Sequence, residues 1–218
     1  MPLRGSFDGL LQLCRRRALA DLELVLEEHG HELDPMLSMV EELWRACQEQ
    51  HLRICWIRLP DLVSPRGVFT WAARAHMMGV GLLVPQEAAA FILALKAALV
   101  HPTNVHAARE AAALAQHYDL HTCWDVDPGA GDPDTANQVL EITSPTLAHV
   151  RLLGADPEAD VSGSPEGAQL ISGLAKRGYN GTVSLVASSS GGGVSWQQSC
   201  HQESRVNKPK RGEPCRSS

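Results

Sequence analysis

Six cysteines, Cys14, Cys47, Cys55, Cys123, Cys200 and Cys215, stand singly among apolar neighbours or in the C-terminal stretch, with no CxxC pair and none beside two histidines. That spacing speaks against a structural zinc and against a disulfide framework, and predicts buried free thiols that behave as small hydrophobes. The histidines gather more suggestively. His29 and His31 lie beside Glu27 and Glu28, a metal-like cluster in letters, but they fall in an expected strand-to-helix loop, where a substrate contact is the best functional use for them. His117 and His121 are four apart, yet Asp119 and a strand start at His121 break the helix that would align them. His101 and His106 flank the Pro102-Thr103-Asn104 helix start and call for no chemistry. Gly129-Ala130-Gly131 is too short to cradle a phosphate.

The elements that must position any site follow from patterning. The chain has 218 residues, 44% hydrophobic and 20% charged, with 19 Lys and Arg against 25 Asp and Glu for a net charge of −6. This excludes collagenous, coiled-coil and wholly disordered chains, and it lacks the basic footprint that nucleic acid demands. No apolar run approaches the roughly 18 residues of a membrane span, and the first 21 residues do not read as a signal peptide, so a cytoplasmic location with no membrane partner is expected.

Between Leu10 and Val186, amphipathic stretches alternate with short apolar runs, the pattern of βα units around a parallel sheet. Helices are expected at 7–17, 35–50, 68–78, 104–117, 133–141 and 165–176, with strands at 22–27, 53–59, 81–84, 121–126, 148–153 and 182–187. The Phe91 to Ala98 run is helical by propensity. Past Ala187 come Ser-Ser-Ser-Gly-Gly-Gly and then five basic against two acidic residues. Residues 1–187 are therefore read as one domain of charge about −9, and 188–218 as a disordered tail.

Three segments, "HTCWDVDPGAGDP" from His121, "LAHVRLLGADPEA" from Leu147 and "GAQLISGLAKRGYNGTVSLVA" ending at Ala187, resemble the xylose-isomerase-like TIM-barrel superfamily of sugar phosphate isomerases and epimerases. Their order, their spacing and the Arg177-Gly178-Tyr179-Asn180-Gly181 turn match, and the resemblance extends more weakly back to Phe7. It implies an α/β fold, a TIM (β/α) barrel, and it makes Phe91 to Ala98 a strand. A full barrel takes about 250 residues, so an incomplete or irregular one is expected. Seven strands at most should form it, leaving open edges that a second copy of the chain could cover.

The family holds a divalent metal on Glu, Asp, His and Glu at the carboxyl ends of four successive strands, and by the resemblance those positions here read Lys96, Asp125, Arg151 and Val186. One carboxylate does not retain a hard divalent ion, so no cofactor is expected unless these alignments are displaced, in which case manganese, magnesium or zinc returns. The carboxyl ends of TIM-barrel strands carry the active site. The constellation implied there is Glu27, Arg58, Lys96, Asp125, Asp127, His149 and Arg151. Asp125 is the general-base candidate and Lys96 and Arg151 the electrophilic or anion-holding groups, with Glu27, Arg58, Asp127 and His149 as substrate contacts. A Schiff base at Lys96 is chemically able but weakly signalled. Two readings stand: a sugar phosphate isomerase- or epimerase-like enzyme that moves a proton beside a carbonyl of a small sugar or polyol, and a catalytically silent barrel that binds an anionic metabolite or a partner protein. In the second, Lys96, Asp125 and Arg151 form an internal salt-bridge network left by a lost metal site.

Overall fold

A computed structural model of the chain describes residues 21–26, 33–61, 63–92, 96–127, 132–153, 165–186 and 195–200. Seven parallel strands, β1 (Asp21–Val25), β2 (Arg53–Arg58), β3 (Gly81–Val84), β4 (Ala97–Pro102), β5 (His121–Val126), β6 (Leu147–Leu153) and β7 (Thr182–Val186), follow one another around a barrel. An eighth strand, β8 (Ser195–Cys200), closes it by pairing antiparallel with both β1 and β7. Helices α1 (Leu33–Glu49), α2 (Pro65–Met78), α3 (Val105–Tyr118), α4 (Pro133–Thr143) and α5 (Pro165–Lys176) link successive strands, with a short 3-10 turn at Gln86–Phe91 between β3 and β4. None of the described helices is long and apolar enough to cross a membrane.

Local chemistry explains where these helices begin. Ser64, Asn104 and Asp132 sit in extended backbone and accept hydrogen bonds from the first free N–H groups of α2, α3 and α4, and Pro65 and Pro133 fill the first helical turn where no N–H is needed. Gly79 ends α2 at φ 70°, a conformation that favours glycine. Strand residues alternate as the pleat requires. Leu22, Leu24, Ile54, Ile57, Leu82, Ala97 and Leu99 pack outward with Val40, Val68, Trp71 and Ala75 of α1 and α2. Trp124, Val150, Leu152 and Val183 pack with Ala108, Val139, Leu140 and Leu174 of α3 to α5. Cys47, Cys55 and Cys123 are buried, as their apolar neighbours in the sequence predict.

Two expectations are corrected. The strand placed at Phe91 to Ala98 begins only at Ala97 and runs to Pro102, because Gln86–Phe91 winds into the 3-10 turn that its Ala-rich composition favours. The limit of seven strands fails at β8, which lies inside the stretch expected to be a tail: the unpaired backbone groups of β1 and β7 are satisfied by a returning segment, although its polar letters, Ser-Trp-Gln-Gln-Ser-Cys, give little strand signal. Those two edges are thereby paired within the chain. The helix expected at 7–17 lies outside the described residues.

Candidate active site

Register sets which side chains face the bore. Asp125 of β5 pairs with Arg151 of β6, and Arg151 with Ser184 of β7; one step toward the amino end, Cys123 pairs with His149 and His149 with Thr182. On the far wall Glu23 of β1 pairs with Trp56 of β2, and Val25 with Arg58. Because β1 and β6 are not neighbours in the sheet, contacts between Glu23 and the β6 side chains cross the barrel interior.

Those contacts form one continuous buried network. Arg151 donates through Nε to Glu23 Oε1 at 2.8 Å and through Nη1 to both Asp125 oxygens, at 3.0 and 2.9 Å. His149 Nε2 lies 2.9 Å from Glu23 Oε2 and 3.1 Å from Ser184 Oγ. The Trp56 indole N–H, which can only donate, reaches Thr182 Oγ1 at 2.9 Å, and the Thr182 hydroxyl meets His149 Nδ1. Donation from Thr182 to Nδ1 assigns the imidazole proton to Nε2, where it donates to Glu23. Glu23 and His149 have no solvent exposure.

Charge follows from this geometry. Burial by itself would push the Glu23 carboxyl up, but the Arg151 guanidinium and the hydrogen bond from His149 outweigh it and hold the group at about 2. Burial would weaken the charge on Arg151, yet the carboxylates of Glu23 and Asp125 raise its pKa above the usual arginine value. At Asp125 the balance tips the other way: burial pushes its carboxyl up, and Arg151 and Arg58 only partly offset the shift.

Asp125 also faces outward. Its side chain keeps 17% of its exposure, and with Arg58, Asp127, Val100, His101 and Thr103 it lines a cleft of about 1300 Å³ at the carboxyl end of the barrel. The structure thus brings Arg58, Asp125 and Asp127 together in the cleft and sets Arg151 and His149 directly behind them. Arg58 is steadied by donating to Leu59 O at 2.8 Å and to Asp61 Oδ1 at 2.6 Å. Glu27 lies outside the described residues, as do His29 and His31.

Lys96 is the residue that moves. Since β4 starts at Ala97, Lys96 precedes the strand and stands at the amino end of the barrel, with its Nζ 4.9 Å from the centre of the Trp56 ring. It is therefore on the opposite side of the buried tier from the cleft. The position it was expected to fill, at the carboxyl end of β4, belongs to His101 and Pro102. Glu23, Thr182 and Ser184, polar letters that face the bore from apolar strands, were missed from sequence, and so was His101, which the alternation of β4 places on the outer face with Leu99 near the cleft. Only the register reveals which face such a letter takes.

The donor set does not fit the divalent ion that the resemblance implies. Of the four expected ligand positions Asp125 alone carries a carboxylate, Val186 is apolar, and the Arg151 guanidinium occupies the space between the carboxylates of Glu23 and Asp125. Among the described residues no three His, Cys, Asp or Glu side chains gather as a metal site.

Comparison with known proteins gives the barrel relatives of fold. A D-psicose 3-epimerase from Clostridium cellulolyticum H10, solved with D-tagatose, superposes with a TM-score of 0.59 at 12% identity over 86% of this chain and 79% of that one. The citrate synthase SbnG gives 0.50 at 12% identity over 81% and 80%. A probable 2-pyrone-4,6-dicarboxylic acid hydrolase from Acinetobacter baumannii, with citric acid bound, gives 0.50 at 13% over 83% and 72%. The likeness is one of fold. No protein-family model and no curated protein sequence matches the chain.

Proposed function

We propose that the carboxyl-end cleft binds an uncharged sugar or polyol and that Asp125 moves a proton at the carbon beside its carbonyl, in an isomerase- or epimerase-like reaction. The observation that carries this reading is the double position of Asp125: it is anchored from behind by both bonds from Arg151 Nη1, open to the cleft in front, and raised in pKa by burial. A carboxylate so placed can take the proton from carbon as the carbonyl oxygen gains charge, and can return it in the next step. Arg58, the guanidinium on the cleft wall, is placed to donate to that oxygen. The epimerase neighbour, solved with D-tagatose, supports a sugar as the ligand class.

Charge argues for a free sugar over a phosphorylated one. Among the described residues the cleft is lined by five carboxylates, Asp61, Glu87, Glu110, Asp125 and Asp127, and one guanidinium, that of Arg58. Lys96 is at the other end, and Arg151 is committed to Glu23 and Asp125, so the anion-holding pair expected from sequence is not assembled.

The commitment of Arg151 also favours a second reading, a barrel that binds without turnover. Incubating the protein in D2O with D-psicose, D-tagatose or D-fructose and following the carbon-bound hydrogens by NMR separates the two. Exchange beside the carbonyl that disappears in Asp125→Asn supports the enzyme; a ligand-induced rise in melting temperature with no exchange supports the silent barrel. Preferential binding of the phosphorylated sugars overturns the uncharged-ligand reading.

A further inference from the structure

His101 is fully buried near the carboxyl end of β4 and is one of the residues lining the cleft. Its two ring nitrogens have different fates. Nδ1 lies 3.1 Å from Pro102 O; a carbonyl oxygen only accepts, so Nδ1 carries the proton and Nε2 presents a lone pair. That Nε2 has no hydrogen-bond partner among the described residues. Burial holds the imidazole at about 4, so at neutral pH it stays uncharged and Nε2 remains an acceptor. A buried acceptor without a donor costs more than the bond it would make, and such groups are rare unless something is meant to meet them.

The sequence gives no reason of packing for a histidine there. The residue before it, Val100, faces the interior cluster with Trp56, Leu83 and Cys123, and Leu99 packs against the outer helices. An apolar residue at 101 would satisfy the outer pattern of β4 without burying a polar nitrogen.

We propose that His101 is a specificity-determining residue whose Nε2 accepts a hydrogen bond from one hydroxyl of the ligand in the carboxyl-end cleft. This rests on the sugar or polyol reading of that cleft and adds a reason why the ligand must be hydroxylated at a defined position. The neighbouring Asp125 and Asp127 carboxylates are acceptors as well, so this wall of the cleft asks for a ligand rich in donors. A site built to pair a hydroxyl rejects the analogue lacking it more sharply than an apolar pocket rejects an extra methylene.

The test combines stability and binding in the full chain, with His101→Phe and His101→Gln. Removing an unpartnered buried acceptor is expected to raise the melting temperature of ligand-free His101→Phe, while its affinity for the best ketohexose falls tenfold or more. His101→Gln, which keeps an acceptor, should retain more of the affinity. A series of monodeoxy sugars should show one position at which deletion weakens binding to the wild type but not to His101→Phe. Equal affinity of wild type and His101→Phe, with no deoxy position distinguished, overturns the proposal while leaving the sugar reading intact. Failure of the wild type to bind any hydroxylated sugar overturns both.

Discussion

Glu23 and Arg151 meet across the bore of the barrel at 2.8 Å, although 128 residues separate them in the chain. The pair ties the first strand to the sixth, and through Nη1 of Arg151 it reaches Asp125 at the cleft. A guanidinium set between two carboxylates neutralises charge that a divalent ion would otherwise be needed to hold, and it does so with directed bonds that also orient Asp125. What was expected as a network of Lys96, Asp125 and Arg151 is instead a network of Glu23, His149, Arg151 and Asp125.

The depressed pKa of Glu23 makes stability depend on acid. The folded value, about 2, lies below the ordinary 4.5, so its contribution is fully present above about 4.5 and is lost as pH falls toward 2. Melting temperature should therefore decline on that limb. Glu23→Gln should flatten part of the decline and lower stability at neutral pH by about 3–5 kcal/mol, the usual consequence of removing one partner from a buried ion pair. Urea denaturation at pH 7 and pH 3.5 checks both; a variant as stable as the wild type at pH 7 would show that the pair is dispensable.

Asp125 has the opposite sign. Its carboxyl is raised above the ordinary 3.8, so the proton-transfer rate should climb with pH through an apparent value above 3.8 and then level. Asp125→Asn should reduce carbon–hydrogen exchange by about 10²- to 10⁴-fold, the range for loss of a general base, with ligand affinity changed only a few-fold. A variant that exchanges normally would remove Asp125 from the chemistry.

The helices and most strands were legible because their signals are local: apolar spacing, Ser, Asn or Asp caps, and proline in the first turn. The expected 121–126 and 81–84 strands appear at those residues. Two losses were of a different kind. The β4 boundary slipped because a family pattern overruled the helical propensity of an alanine-rich run, and the slip carried Lys96 to the wrong end of the barrel and hid His101. The role of Glu23 and one of the two pairings of strand β8, that with β1, depend on partners more than a hundred residues away in sequence, which periodicity within a window does not register.

Trp56 fills the bore beneath the charged tier, with its ring 5.3 Å from that of His149, and Gly81 opposite it is what makes room. A Cβ at position 81 would lie 2.4 Å from two ring atoms of Trp56, closer than atoms can approach. Gly81→Ala should displace the indole and break its bond to Thr182, at a cost of about 1–3 kcal/mol typical of overpacking. Adding Trp56→Phe should recover part of the loss, since the clash is with the larger ring. Denaturation of the two single variants and the double variant measures this coupling; additive effects would mean that the two residues do not interact.

Lys96 tests whether the cleft is where the chemistry lies. It stands at the amino end with its ammonium over Trp56, an exposed contact of the kind worth about 0.5–1 kcal/mol. Lys96→Met should therefore shift the melting temperature slightly and leave both ligand affinity and isotope exchange at wild-type levels. Borohydride in the presence of a ketose should trap no adduct on Lys96. Chelator and manganese should likewise leave the melting temperature unchanged, because the Arg151 guanidinium stands where an ion would sit between Glu23 and Asp125, and a site-bound ion would have to stabilise the fold. A Lys96 variant that loses binding while remaining folded would move the ligand site to the amino end of the barrel, and a chelator-sensitive melting temperature would restore a metal held by ligands other than those expected.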